Sequence, residues 1–238
     1  MSEMEIGGVK IRINRKAIKN IHLSVHPPDG KVTIACPDAT KDETLRLYLA
    51  SKIGWVKRQQ KLLQSKDRQS PRKYVTGETH YLLGKAYRLK VLQMDGKPFV
   101  QVKGKSVVEL NVHVGASVEA KAELMKEFYR VHLKNVLSKM VDDWCRKMDV
   151  QPEDWRVKSM KTKWGSCNTV KKTLLFNLEL AKKPKTCVEY IVVHELVHLL
   201  ERLHNDRFVS YMDRFLPMWR RRKEELNSLP VAHSDWEY

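Results

Sequence analysis

The sequence predicts an α+β protein, with a β-rich N-terminal half followed by a helical C-terminal part that carries a small sheet. Two observations support this. Up to residue 114, apolar residues mostly alternate with polar ones in short runs broken by Gly, Pro and Asp turns. Beyond it, apolar residues recur every three or four positions, first in one very long stretch and then in shorter ones. The expected division is 1–114, β-rich with one helix, and 115–238.

In chain order, residues 9–14, 20–26 and 31–35 read as strands, with Ile11/Ile13, Ile21/Leu23/Val25 and Val32/Ile34 on their apolar faces. Pro27-Pro28-Asp29-Gly30 turns between the last two. Thr40 or Asp42 is placed to cap a helix over about 42–64, with Leu45, Leu49, Ile53, Val56 and Leu63 at helical spacing and Lys52, Lys57, Arg58 and Lys61 on the solvated side. Ser65 to Arg72 is polar, contains Pro71 and reads as a linker or long loop. Tyr81–Leu83, Tyr87–Leu92, Phe99–Val102 and Val107–Val112, separated by turns at Gly84, Asp95-Gly96 and Gly104, predict a meander. No internal repeat is visible.

A long helix is expected from about Ser117 to Met148, with Leu124, Phe128, Val131, Val136, Met140, Trp144 and Met148 as its apolar stripe. His132 and Cys145 on it are read as packing residues. After Pro152, Trp155–Met160 and Thr173–Leu180 read as strands, with Trp164-Gly165-Ser166-Cys167 as a loop between them. Pro184 precedes a helix starting near Lys185 or Thr186, and Asn205 or Asp206 begins another that Pro217 stops. A basic amphipathic tail, Trp219 to Lys223, follows.

The chemistry concentrates in His194-Glu195-Leu196-Val197-His198. Four residues of helix advance the chain by roughly 400° and ~6 Å, so His194 and His198 share a face and can bind one metal. Glu195 is offset by about 100°, near enough to act on a metal-activated water as a general base. Ile191, Val192, Val193, Leu196, Val197, Leu199 and Leu200 supply an apolar frame that would hold the imidazoles in fixed rotamers. A catalytic zinc commonly has three protein ligands, and His204 is the candidate for the third. On a straight helix it would lie ~15 Å up the axis from His194, so the helix must stop near Glu201 to Leu203 and fold back. Glu201 is the competitor, but at i+7 it would sit ~10 Å along the axis.

Composition narrows the function classes. The chain has 238 residues, 45 of them Lys or Arg against 28 acids, giving a net charge of +17. That surplus calls for an anionic partner, whether nucleic acid or a phosphorylated substrate. Nine basic residues and one acid, Glu179, lie between Arg156 and Lys185, just before the metal helix. No apolar run approaches the ~20 residues of a membrane helix, and the acidic start of the chain is unlike a signal peptide. The four cysteines include no C-x-x-C pair. A cytoplasmic protein with reduced thiols is expected, with no membrane partner and with its oligomeric state open.

Val193 to Leu203, together with Lys163-Trp164-Gly165-Ser166-Cys167 upstream and His204-Asn205-Asp206-Arg207-Phe208 downstream, resembles the YgjP-like metal-dependent hydrolases, relatives of the SprT-like and WLM zinc metallopeptidases. The resemblance implies a zincin-like C-terminal domain, a Zn2+ ion or another divalent metal on His194, His198 and His204, and Glu195 as base. It implies hydrolysis of a peptide, with Thr173–Leu180 as the edge strand against which an extended substrate lies. The same family is associated with nucleoside triphosphate (UTP) pyrophosphatase activity, so peptide and nucleotide substrates both stay open. Lys163, Ser166, Lys171 and Lys172 are candidate substrate-binding residues. A third reading is a basic nucleic-acid-binding protein with a structural zinc closed by Cys167 as fourth ligand.

Overall fold

The computed structural model describes residues 2–26, 30–65, 72–160 and 163–229. It is α+β, and its described part divides into two compact units, residues 2–65 and 72–229. The division falls before the second sheet, not at 114/115, because that sheet shares its apolar core with the long helix and the metal helix. The 27–29 turn residues and the linker residues 66–71 lie outside the described part.

The first unit has strands β1 (Ser2–Ile6), β2 (Val9–Lys16), β3 (His22–His26) and β4 (Lys31–Pro37), followed by helix α1 (Asp42–Ser65). Strand β1, a short polar edge strand, escaped the sequence reading. The sheet order is β1-β2-β4-β3, with β2 and β4 parallel at the centre. Ile11, Ile13, Val32 and Ile34 pack beneath Leu45, Leu49 and Val56 of α1. Alternation along β2 and β4 is what allows one face to meet the helix.

The second unit opens with β5 (Thr79–Leu82), β6 (Lys85–Gln93), β7 (Phe99–Lys103) and β8 (Val107–Val112). Its order is β5-β6-β8-β7, so the expected meander is wrong. Burial explains the outcome. Strand β8 is buried along nearly its whole length, whereas β7 is at most half-buried, and only at alternate residues. A meander would put β8 at the edge, whereas the observed order places it between neighbours, parallel to β6. This is also the topology of the first sheet, so the chain does repeat a plan that its residues do not display.

Helix α2 (Val118–Met148) starts at Ser117, whose hydroxyl accepts from Ala120 N, and ends at Asp149 in the left-handed conformation. Its apolar stripe runs through Met125, Phe128, Tyr129, Leu133, Leu137, Val141, Trp144, Cys145 and Met148. Val131, placed in the stripe by sequence, is exposed. Both registers satisfy three-and-four spacing, and contacts with β7 and β8 on one side and α3 on the other select the wider face.

A three-stranded sheet follows, made of β9 (Asp154–Lys158), β10 (Gly165–Asn168) and β11 (Thr173–Asn177) in the order β10-β11-β9. Two expectations change here. The Trp164–Cys167 segment is mostly edge strand, not loop, and Thr173–Leu180 is no edge. Its strand is central and stops at Asn177, where a 3-10 turn (Leu178–Lys182) begins. Helices α3 (Lys185–Val197), α4 (Asp206–Phe215) and α5 (Trp219–Ser228) complete the unit. Among the described residues no helix is long and apolar enough to cross a membrane.

The hairpin between β5 and β6 sets where α3 begins. Leu83 and Gly84 both have positive φ, the two-residue turn whose twist suits a hairpin. Leu83 N donates to Ala181 O at 2.7 Å. A Cβ on Gly84 would lie 2.9 Å from Pro184 Cα, so only glycine lets the turn sit against Pro184, the residue that precedes α3.

Candidate metal centre

Helix α3 buries Ile191, Val192, Val193, Leu196 and Val197 of the expected apolar frame, together with Cys187, Val188 and Tyr190, whereas Leu199 and Leu200 lie past its end and are half-buried. The helix ends earlier than expected, at Val197. Leu199 N and Leu200 N bond to the carbonyls of Leu196 and Val197, a tightened last turn that starts the fold-back. Glu201 is drawn into this turn. Its carboxylate accepts from Leu203 N at 3.1 Å and lies 4.0 Å from Arg207. Asn205 then caps α4 by accepting from Phe208 N at 3.0 Å.

The return brings His204 to the other two histidines, and one ligating atom from each of His194, His198 and His204 lies within 4.8 Å of the others. Nε2 of His194 and Nε2 of His204 are 3.1 Å apart, close to the ~3.3 Å that two nitrogens keep on one tetrahedral zinc. Nδ1 of His198 faces the carbonyl oxygen of Glu201 at 3.1 Å. A carbonyl only accepts, so Nδ1 carries the proton and Nε2 keeps its lone pair. Burial lowers the His194 pKa to about 3, helped by the charges of His198, His204 and Lys223. Burial likewise lowers His198. Both rings are therefore neutral, the form that ligates. The buried Nδ1 of His194 has no hydrogen-bond partner among the described residues. Donor type, spacing and protonation all fit a divalent cation.

Phe208, at the start of α4, touches the whole set. Its ring centroid is 5.0, 4.8 and 4.7 Å from those of His194, His198 and His204. Sequence marked it only as an apolar helix residue. Tyr190 meets the edge of His194 and stacks on Trp219 of α5. Glu189, next to it, accepts from Trp144 Nε1 at 3.0 Å and pairs with Arg222, fastening α2, α3 and α5 together.

Glu195 is buried, and burial pushes its carboxyl up to about 8 against the lowering charge of Lys163. It packs on Gly165 of β10: a Cβ there would lie 2.5 Å from Glu195 Oε1 and 2.7 Å from its Cγ. The glycine is thus required by the glutamate, not by its own backbone. Cys167, on the same face, has its thiol raised to about 11 by burial and by Glu195. It lies outside the histidine cluster, so the fourth protein ligand of a closed structural site is not among the described residues.

These groups open on a cleft of about 1160 Å³ that includes Lys163, Ser166 and Lys171 in its walls. Lys172 is exposed in the turn before β11 and does not line it. The basic run is also less free than its count suggests. Arg156 pairs with Asp154 at 2.6 Å, Lys182 with Glu179 at 2.8 Å, and Lys183 is buried beside the Trp164 ring. Two cations that sequence missed, Arg202 and Lys223, reach the cleft from the metal turn and from α5.

The profile of the YgjP-like metallopeptidase domain matches residues 19–229. The chain belongs to the YgjP-like metallopeptidase family. It is accordingly a metal-dependent hydrolase of peptidase type, and its histidine triad is where this YgjP-like chain can hold a divalent metal. Among curated proteins no sequence match is found. Of solved structures, the YgjP-like chain is similar to the metallopeptidase zymogens abylysin of Pyrococcus abyssi and jannalysin of Methanocaldococcus jannaschii. For abylysin the identity is 15%, over 38% of this chain and 90% of the other, with a TM-score of 0.36. For jannalysin the values are 19%, 38%, 92% and 0.35.

Proposed function

We propose that the chain is a zinc peptidase in which His194, His198 and His204 hold the ion and Glu195 is the general base. The observation that carries this reading is the convergence of three imidazoles beside a buried carboxyl at the wall of an open cleft. When bound, zinc supplies Lewis acidity, polarising a carbonyl and making water reactive near neutral pH. Glu195 accepts a proton on its carboxylate from the attacking water and returns it to the leaving amine nitrogen. Gly165 and the apolar sheath of α3 hold that carboxylate in place and keep bulk water away.

Strand β10 takes the role the sequence reading gave to Thr173–Leu180. Asn177 N donates to Trp164 O, which fixes the ladder parity: residues 164, 166 and 168 bond to β11, and the N–H and C=O of Gly165 and Cys167 point to the open edge. An extended peptide pairing there runs directly past Glu195.

The test is turnover of metal-loaded protein on peptides and on nucleoside triphosphates, each beside Glu195→Gln. Peptide cleavage that falls ~10²-fold or more in the variant, with zinc retained, is the expected result. Full activity in the variant overturns it. Nucleotide hydrolysis at the same site is the second reading, favoured by the lysines and arginines of the cleft. Uridine triphosphate turnover with no peptide cleavage would put it first.

A further inference from the structure

Among the described residues, the cleft walls contain seven charged side chains besides the histidines, and their arrangement is one-sided. Asp154 is neutralised by Arg156 at 2.6 Å, and Glu195 lies buried against Gly165. That leaves Lys163, Lys171, Arg202 and Lys223, all exposed, with no carboxylate paired to them among the described residues. They are distributed around the site. Lys163 stands before β10 and Lys171 in the turn after it, while Arg202 rises from the metal turn and Lys223 from α5.

We infer that the substrate is an acidic polypeptide segment, drawn out along β10 with carboxylates on both sides of the bond that is cut. The inference rests on the peptidase reading and adds the kind of chain it acts on. The outward N–H and C=O groups of Gly165 and Cys167 offer donors and acceptors at the two-residue repeat of a strand, ~7 Å. A polypeptide matches both kinds of group, whereas a phosphodiester backbone offers acceptors only. Strand β10 is four residues long, ~13 Å, so a peptide lying on it has Lys163 near one end and Lys171 near the other. Exposed cations in such positions act through encounter and through rejection of like charge. The basic excess of the sequence thereby acquires a local task, separate from the lysines tied up in folding.

Three peptides with one common apolar centre, flanked on each side by three Glu, three Ala or three Lys, test this with the metal-loaded full chain. The expected order of kcat/KM is Glu, then Ala, then Lys. The ends should differ by about tenfold or more, mainly through KM, and the gap should shrink as salt rises. Lys163→Ser, Lys171→Ser, Arg202→Ser and Lys223→Ser combined should bring the three within about twofold, whereas Lys134→Ser with Lys139→Ser on α2 should preserve the order. Equal cleavage of all three peptides by the wild type overturns the inference and leaves the peptidase reading standing. If none is cut, the common centre is not a sequence this site cleaves, and binding decides in place of turnover. The inference is then decided by the fluorescence anisotropy of the labelled Glu peptide with Glu195→Gln protein. Salt-sensitive binding that the four serines abolish sustains it. No binding, or displacement of the peptide by a single-stranded oligonucleotide at lower concentration, sinks it.

Discussion

Residues 2–65 and 79–148 each pass through four strands, with the third and fourth exchanged in space and the central pair parallel, into a long helix. Their helices are used differently. Helix α1 buries Leu45, Leu49 and Val56 and leaves Leu47 and Trp55 exposed. Helix α2 buries nine side chains, because it serves its own sheet and also packs on α3, β9 and the 3-10 turn. Among the described residues the buried polar ones divide as sharply: His80, Glu109, Asn111, Asn177, Lys183 and Glu195 all belong to the second unit. One plan, closed on itself, gives a plain apolar core. Opened on its far side, it becomes a platform that tolerates costly groups where chemistry needs them.

The largest effects should separate the two cores. Leu49→Ala and Leu137→Ala remove fully buried side chains and should each cost about 3–5 kcal/mol. Thermal melts with metal titrations should show zinc affinity unchanged in Leu49→Ala and weakened in Leu137→Ala. Equal weakening in both would mean that the cores are not separate. Next is Gly165→Ala, which drives a methyl group into Glu195 and should lower kcat about 10²-fold with zinc retained. Shortening the acid with Glu195→Asp in that background should restore part of the loss, since the added Cβ then has room.

Phe208→Ala should weaken zinc binding by about 10- to 100-fold, the scale of changes behind a metal's own ligands. A competition titration against a chelator checks it, with Phe208→Leu intermediate. The smallest effect concerns the metal-free state. The Glu195 pKa is raised to about 8 from an ordinary 4.5, so between those values the folded chain holds more protons than the unfolded one. Stability from this group is present below pH 4.5 and is lost as pH rises toward 8. Glu195→Gln should therefore raise the metal-free Tm at pH 8, by about 2–4 °C for ~1 kcal/mol, and by less at pH 5. An equal rise at both pH values would assign the gain to something other than proton linkage.

How much of this could be read in the sequence depended on whether the feature was periodic. The spacing of His194 and His198 is a helical period, and six further residues ending at an Asn cap force a return, so the triad was legible. Strands β2, β4, β6 and β8 were legible from alternation, but alternation says nothing about which strand is a neighbour, and the parallel pairs were missed. Strand β10 was hidden because Gly165-Ser166-Cys167-Asn168 has no apolar alternation to show. Arg202 and Lys223 lie in segments with no local pattern around the motif, and only the fold brings them to the cleft. The lysine count misled in the other direction, since Lys182 and Lys183 serve packing.

The bond from His198 Nδ1 to the Glu201 carbonyl has a kinetic consequence. With its proton already parked on the far nitrogen, His198 needs no tautomer exchange before it accepts an ion. The capped start of α4 likewise holds His204 without waiting for one. Uptake should then proceed at the pace at which the ion sheds its water, with ligands already in their binding form and facing the open cleft.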